Sequence, residues 1–222
     1  PEALINYVSM VGWSYDGQRE FFSKEDLEQV FSLEKINKAP GVFDYKKLDW
    51  FNGQYIRQKS DEELMALLLP YMTKAGFLPS NPSEAERAKL LNLTKVVKER
   101  LKVLSDVVDL TRFLFEEPKY EDVNLFAAKG VELEVALAAL DRAYAILRQG
   151  FEEHESHEAT EQKLTDLASE MGLKINGVFM PLRVALTGST VSLPLFDSIG
   201  LLGQEVTCAR IENALALLKR EV

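Results

Sequence analysis

Arg100 is the residue whose type and position point most clearly to chemistry in this sequence. Between Ser83 and Phe115 apolar side chains recur at steps of three and four, which predicts one long α-helix with a single apolar face. Arg100 falls within that face, although a guanidinium only donates hydrogen bonds and is costly to bury unpaired. Two interpretations remain open: an ion pair with a carboxylate of a packed neighbour, and an arginine that faces a ligand at the edge of a helical groove.

A break within this segment would change the surroundings of Arg100. Ser105 and Asp106 are residue types that commonly cap helices, so a second helix could begin there. Arg100 would then lie in the last turn of the first helix, where the helix dipole favours a positive charge and the groove stays within reach.

The other reactive side chains form no catalytic or metal-binding pattern. His154 and His157 lie among glutamates, and a solvated loop is favoured over a metal site because no second ligand motif accompanies them. Cys208 is the single cysteine, so no internal disulfide can form and a reducing compartment is expected. A glycine-rich phosphate loop and a nucleophile–base pair are absent from the sequence. We therefore expect no catalytic residue and no metal site here.

Charge is distributed unevenly along the 222 residues. The net charge of −9 argues against a nucleic-acid partner, and 46% hydrophobic residues are typical of an ordinary globular protein without a membrane span. However, basic residues are concentrated at 35–59 and 87–102, whereas the acidic residues are concentrated between 116 and 170. One face of the protein could therefore bind a polyanion while another stays solvated.

Helix signals extend along the whole chain and predict an all-α protein. Ser23, Ser60 and Ser83 each precede an acidic residue by three positions, the pattern of a helix capping box. Ala39-Pro40-Gly41 indicates an extended or turning segment, after which Asp44 can cap a helix rich in lysines and aromatic residues.

Proline and glycine positions predict the helix ends near the C-terminus. Pro181 and Pro194 lie where helices are expected to begin. Gly188 and Gly203 lie where they are expected to end.

Three runs of residues carry a resemblance to a known family. They are PEALINYVSMVGWS at the start, KINKAPGVFDYKKLDWFNGQYIR at residues 35–57, and GVFMPLRVALTG at residues 177–188. In content and order they resemble bacterial-type glutamyl-tRNA synthetases, which are class I aminoacyl-tRNA synthetases. The resemblance covers the chain from end to end and implies the part of those enzymes that follows the catalytic domain.

The resemblance implies three regions. Residues 1–59 would form the stem-contact fold, which lies against the inner side of the L-shaped tRNA. Residues 60–120 and 121–222 would be the two helical subdomains of an anticodon-binding region, an α-helix cage.

The same resemblance implies two sets of tRNA-binding residues. Those expected beside the anticodon are Arg100, Arg183, Ser192 and Leu195. Those expected nearest the tRNA stem are Lys47, Trp50, Asn52, Tyr55 and Arg57. Glutamate and glutamine anticodons differ at the third base, cytosine or guanine. The pairing edge of cytosine offers acceptors that an arginine can satisfy, whereas guanine presents donors there, so Arg100 is expected to favour the glutamate anticodon.

Full-length members of the family join glutamate to tRNA(Glu) with ATP and Mg²⁺, using HIGH and KMSKS motifs that are absent here. The chain is therefore expected to begin after the KMSKS loop and to bind tRNA without catalysis or a cofactor of its own. A cytoplasmic monomer is expected. Two alternatives remain: a parent enzyme that also charges tRNA(Gln), and a helical protein-interaction module, whose binding would depend less steeply on salt.

Overall fold

A computed structural model describes residues 1–37 and 41–222, and the regular structure within these ranges is helical, with no strand. The all-α prediction is confirmed. The α-helices are α1 Glu2–Met10, α2 Lys24–Val30, α3 Tyr45–Gln58, α4 Asp61–Lys74, α5 Glu84–Val97, α6 Asp106–Thr111, α7 Leu133–Glu152, α8 His157–Glu170, α9 Asn176–Thr187 and α10 Leu195–Glu221. The predicted turn at Ala39-Pro40 lies outside the described residues. In the described part of the chain, no helix is both long enough and apolar enough to cross a bilayer.

The described chain forms two compact units. Unit 1 is Pro1–Val108 and unit 2 is Asp109–Val222. The finer division into residues 1–59, 60–120 and 121–222 stays a prediction.

Local capping determines where several helices of unit 1 begin. Ser23, Ser60 and Ser83 each form the predicted capping box with the acidic residue three positions later. The Asp44 carboxylate accepts hydrogen bonds from two backbone N–H groups at the start of α3. Each such cap typically contributes about 1 kcal/mol to helix stability. Short-range sequence signals therefore predicted these boundaries correctly.

The core of unit 1 is organised around a buried amide on α1. The Asn6 Nδ2 donates to the carbonyl oxygen of Glu20 at 2.7 Å, and Asn6 Oδ1 accepts from the backbone N–H of Phe22 at 2.5 Å. The hydroxyl of Tyr55 on α3 lies 2.9 Å from the same Oδ1. Phe51, also on α3, is fully buried and its ring packs against that of Tyr7. These contacts hold α1, the loop before α2 and α3 together.

The single long helix predicted between Ser83 and Phe115 is wrong, whereas the alternative that a second helix begins at Ser105 and Asp106 is confirmed. α5 ends at Val97, and α6 begins only at Asp106. Between them the Asp106 carboxylate accepts hydrogen bonds from the backbone N–H groups of Lys102 and Val103, at 2.9 and 3.0 Å. A side chain that binds nearby backbone groups competes with the helical hydrogen bonds, which is why the apolar period continues while the helix does not.

Unit 2 is a cluster of four helices around one apolar core. α7 packs against α8, α9 and α10, and α9 also packs against α8 and α10. The buried core residues include Phe126, Leu140, Leu164, Leu182, Leu186, Ile211 and Leu218.

Three of the four predicted helix-end signals of unit 2 are confirmed. Gly188 caps α9 in the left-handed conformation at φ 70°, Pro194 is the N-cap of α10, and Gly203, at φ 77° and ψ 167°, interrupts α10. The prediction that a helix begins at Pro181 is wrong, because α9 begins at Asn176 and contains Pro181 in its interior. The burial of Val178 and Pro181 explains this, since tertiary packing can offset the lost backbone hydrogen bond.

Candidate nucleic-acid interface

Arg100 lies in unit 1, in the turn of residues 98–105 that connects α5 to α6; we call it the Arg100 turn. The backbone N–H of Arg100 donates to the carbonyl oxygen of Val97 at 2.8 Å. Its side chain is exposed and forms no ion pair with any residue that the structure describes. The expectation that Arg100 lies on the apolar face of a continuous helix is therefore wrong, and the ion-pair interpretation has no partner among residues 1–37 and 41–222. The guanidinium is open to solvent and can donate to an incoming acceptor.

The residue that follows Arg100 anchors the turn. Leu101 is only 1% exposed, so it points into unit 1 while Arg100 points out. The carbonyl oxygen of Lys102 accepts a hydrogen bond from the side-chain amide of Asn52 on α3. The Arg100 turn is thus attached to the helix that carries the predicted stem-contact residues.

The five predicted stem-contact residues occupy different environments on and around α3. Trp50 is 45% exposed, and its ring packs at 5.5 Å from that of Phe21. Lys47 is exposed, with its Nζ 2.8 Å from a carboxylate oxygen of Glu20. Both side chains lie on the outside of unit 1; the Trp50 ring is available to a partner, whereas the Lys47 ammonium is already paired with Glu20.

The other three predicted stem-contact residues make contacts within unit 1. The Tyr55 hydroxyl lies 2.9 Å from the carbonyl oxygen of Phe22, and burial raises the pKa of Tyr55 above its usual range. Asn52 binds the Arg100 turn as described. The Nε of Arg57 is 4.0 Å from a carboxylate oxygen of Glu99. Asn52, Tyr55 and Arg57 therefore all have roles inside the protein.

The remaining predicted anticodon residues lie in unit 2. The Arg183 Nη1 donates to Ser192 Oγ at 2.7 Å and to the Leu193 carbonyl oxygen at 2.8 Å. Arg183 thus holds the loop between α9 and α10 against α9. Leu195 is 4% exposed and belongs to the apolar core, so its side chain is not available to a ligand. The structure brings Arg183 and Ser192 into contact, whereas Leu195 is the buried first residue of α10.

Ser192 also lines a cavity of about 480 Å³ in unit 2, which we call the unit 2 cavity. Its other lining residues come from residues 109–125, from the end of α9 and from the loop that follows α9. The charged residues of its walls are mostly acidic. The acidic ones are Asp109, Glu116, Glu117 and Glu121, and the basic ones are Arg112 and Lys119. Arg112 is bridged at 3.0 Å to Asp109 and at 3.3 Å to Glu116, which largely neutralises its charge. The cavity therefore favours neutral or hydrogen-bond-donating groups over phosphate.

Arg210 was not predicted as a site residue, yet it is a buried arginine that binds the backbone of two residues lining this cavity, Phe113 and Glu116. It is 4% exposed and lies on α10 in the buried face that includes Thr207, Ile211 and Ala214. Its Nη1 donates to the carbonyl oxygens of Phe113 and Leu186, each at 2.7 Å. Burial lowers the pKa of Arg210 from its usual value, with the Glu117 carboxylate opposing that shift.

The signal that drew attention to Arg100 in the sequence would also have found Arg210. Both are arginines within an apolar helical stripe. Only Arg210 is buried on such a face in the structure, where three backbone carbonyl oxygens accept from its Nη atoms while its Nε has no hydrogen-bond partner among the described residues.

The two histidines lie at the turn between α7 and α8, beside a second cavity of about 330 Å³. His157 is the first residue of α8, and its ring lies 5.9 Å from that of Phe196. Among the residues described, no group of three or more His, Cys, Asp or Glu side chains could hold a metal ion.

Comparison with protein-family models gives two matches. Residues 63–215, over half of the chain, match the family described as anticodon binding domain. Residues 1–50 match the family described as tRNA synthetases class I (E and Q), catalytic domain. The second match covers most of the segment predicted as the stem-contact fold.

Proteins similar to this chain along almost all of its length include glutamate–tRNA ligases. The chain is 44% identical to a glutamate–tRNA ligase of Borreliella burgdorferi over 219 residues, which is 99% of this chain and 44% of the relative. It is 40% identical to that of Treponema pallidum strain Nichols over 240 residues, covering 97% of this chain and 44% of the relative. The chain thus spans less than half the length of these relatives.

A solved structure, the glutamate tRNA ligase of Elizabethkingia meningosepticum in complex with its amino acid, matches 98% of this chain and 41% of its own length, with a TM-score of 0.70 at 26% identity. The synthetase of Elizabethkingia anophelis matches 97% of this chain and 40% of its own, with a TM-score of 0.69 at 28% identity. Helical fold, motif order and the domain match agree with one another. The chain therefore belongs, through residues 63–215, to the anticodon binding domain family, and the relatives that it resembles along almost all of its length are glutamate–tRNA ligases.

Proposed function

We propose that this chain recognises tRNA(Glu) for a glutamate–tRNA ligase, and that Arg100 reads the third anticodon base. One observation carries the proposal: within the range matched to the anticodon-binding domain, Arg100 presents an exposed guanidinium that no carboxylate of the described residues occupies. This guanidinium is hydrated in the free chain, and its donors are available to the acceptors of a bound RNA.

Cytosine at the third position suits this arginine. Its unstacked pairing edge offers the N3 and O2 acceptors, whereas guanine presents the N1 and N2 donors at the same place. Donors facing donors leave a bound guanine unsatisfied, which costs about 1 to 3 kcal/mol. The glutamate anticodon is therefore expected to bind more tightly than the glutamine one.

We assign binding of the other anticodon bases to unit 2. Ser192 lines the unit 2 cavity, and Arg183 holds the Ser192 loop in place. The acidic walls favour a base edge with donors over a backbone phosphate. Leu195 would act indirectly, by packing the start of α10 under this loop.

The tRNA stem would meet α3 through Lys47 and Trp50. An exposed aromatic ring and a nearby ammonium group suit stacking and phosphate contact. Asn52, Tyr55 and Arg57 would support this surface from within unit 1.

The wider activity belongs to the same proposal. The parent enzyme would join glutamate to tRNA with ATP and Mg²⁺ in a part outside these residues, so the chain alone would bind without catalysis. Its partner would be tRNA(Glu), with tRNA(Gln) as the alternative if the parent accepts both. A monomeric state and a cytoplasmic location stay predictions.

The experiment compares anticodon stem-loops of the glutamate and glutamine type, differing at the third base, for binding to this chain. Arg100→Ala should weaken the glutamate stem-loop by about tenfold and leave the glutamine one nearly unchanged, so the preference narrows. Lys95→Ala is the matched control, because Lys95 is an exposed cation near the end of α5. If both affinities were unchanged by Arg100→Ala, Arg100 would not be the reader.

Salt dependence tests tRNA binding itself. The affinity should fall steeply between low and moderate salt, because phosphate contacts release counterions. An affinity that hardly changes with salt would favour an apolar protein interface instead.

A further inference from the structure

We infer that Asn52 is a positioning residue for base reading, because its side-chain amide holds the turn that presents Arg100. The inference rests on the proposed role of Arg100 and adds a residue on another helix to it. It also changes the role of Asn52, which the sequence resemblance places among the residues that touch the tRNA stem.

The first support is the contact itself. Asn52 lies on α3, fifty residues away from the turn in sequence, and its Nδ2 donates to the carbonyl oxygen of Lys102. The backbone N–H of the same Lys102 donates to the Asp106 carboxylate at 2.9 Å. Both polar groups of this residue are thus bound by side chains, which is how an irregular segment acquires a single conformation.

The backbone on the other side of Arg100 is also anchored. The N–H groups of Arg100 and Leu101 both donate to the carbonyl oxygen of Val97, at 2.8 and 3.2 Å. Arg100 therefore lies between a helix end and a residue held by α3. Its backbone cannot shift without breaking one of these bonds.

The second support is the glycine that follows Asn52. A Cβ built on Gly53 would lie 3.3 Å from the carbonyl oxygen of Leu101 and 3.3 Å from a guanidinium nitrogen of Arg57. These distances are tighter than ordinary van der Waals contact, so a side chain here would press on the Arg100 turn. Asn52 attaches the turn to α3, and Gly53 lets it approach closely.

A fixed turn matters more for discrimination than for affinity. A guanidinium on a loose backbone could still meet phosphates or other acceptors of an RNA loop. It could also move away from guanine, which would relieve the donor–donor conflict. Holding the Arg100 backbone in one place keeps that conflict, and with it the preference for cytosine.

Base discrimination separates this role from direct stem contact. A residue that touches the stem contributes equally to both stem-loops, because their stems can be made identical. A residue that positions Arg100 changes the ratio of the two affinities. The ratio is therefore the readout that a general structural or stem-contact role would not move.

The test titrates both stem-loops, with identical stems, into Asn52→Ala and Asn52→Asp forms of this 222-residue chain. The aspartate variant keeps the shape but cannot donate to the Lys102 carbonyl oxygen. We expect each variant to reduce the cytosine-over-guanine ratio by roughly two- to tenfold, the range for one hydrogen bond. Gln54→Ala is the matched control, since Gln54 is a neighbouring amide on α3 and makes no side-chain hydrogen bond with any described residue.

A double variant provides the decisive comparison. If Asn52 acts through Arg100, Asn52→Ala should not reduce the ratio any further in an Arg100→Ala background. Gly53→Ala, which presses on the same turn without removing the amide, should also lower the ratio.

Several outcomes would overturn the inference. An Asn52→Ala variant that weakens both stem-loops equally, or that leaves the ratio intact while Arg100→Ala abolishes it, would contradict positioning and leave the proposed function standing. An Arg100→Ala variant without effect would instead overturn the proposed function, and this inference with it.

Discussion

Replacing Arg210 by methionine tests how unit 2 builds the wall of its cavity. The arginine is buried, and its Nη1 binds the carbonyl oxygens of Phe113 and Leu186 at 2.7 Å. A third bond, from Nη2 to the Glu116 carbonyl oxygen, is longer at 3.1 Å. Methionine fills similar space but donates nothing, so three acceptors lose their partner.

The loss in free energy of unfolding depends on which of the three carbonyl oxygens stay buried. The two short bonds each count for about 1 to 2 kcal/mol, because a buried carbonyl oxygen left without a donor keeps its desolvation cost. Removing the buried guanidinium charge opposes this loss of stability. The Glu117 carboxylate stabilises that charge only weakly, since it lies 3.6 Å from Nε and is 81% exposed. We expect the acceptors to dominate and the free energy of unfolding to fall by about 3 kcal/mol. For a cooperative unit of this size, that corresponds to a drop in Tm of roughly 10 °C.

Thermal unfolding followed by circular dichroism measures the effect. Arg220→Met is the matched control, because Arg220 is exposed near the end of the same helix and should change the free energy of unfolding by less than about 0.5 kcal/mol. Arg210→Lys should give an intermediate loss, since an ammonium group cannot bind the three carbonyl oxygens in fork geometry. An Arg210→Met variant as stable as the parent chain would refute the reasoning, because the buried charge would then cost as much as its hydrogen bonds contribute.

Three further predictions concern other parts of the chain. Gly188→Ala should lower the free energy of unfolding by about 2 kcal/mol or more in a denaturant titration, because φ is 70° and the Cβ would lie 2.9 Å from the Lys119 carbonyl oxygen; an unchanged midpoint would contradict this. Burial raises the pKa of Tyr120 to about 12, so unit 2 should lose stability as pH rises from 10 to 12. Tyr120→Phe should reduce that loss without removing it, because burial also raises the pKa of Tyr144 in the same unit; a tyrosine titration by absorbance checks it. Trp50→Ala should weaken binding of whole tRNA more than that of an isolated anticodon stem-loop, because its ring is exposed on α3; an equal loss for both RNAs would argue against a stem contact.

Local signals predicted much of the helical framework. The capping boxes at Ser23, Ser60 and Ser83 and the glycine cap at Gly188 depend on residues within one helical turn, so their chemistry is readable from the sequence. Pro181 shows the limit of such signals. It lies inside α9 because burial in unit 2 outweighs the local preference of proline for a first turn.

The arginines show that a sequence pattern does not decide whether an arginine is buried. Periodicity placed Arg100 on a buried helical face, but Asn52 and Asp106 bind the backbone beyond it and the helix ends at Val97. The same pattern correctly places Arg210 on a buried helical face. A repeat of apolar residues reports which side of a helix would be buried, but it does not report whether the helix continues.

The sequence by itself determined the all-α class, the main helix boundaries and, through its motifs, the family. The tertiary structure decided which arginine is buried and which is open. That distinction depends on partners distant in sequence: Asn52 reaches Lys102 from fifty residues away, and Arg210 reaches Phe113 from ninety-seven. Burial and backbone pairing arise from these long-range contacts, so the apolar pattern that both arginines share could not distinguish the exposed arginine from the buried one.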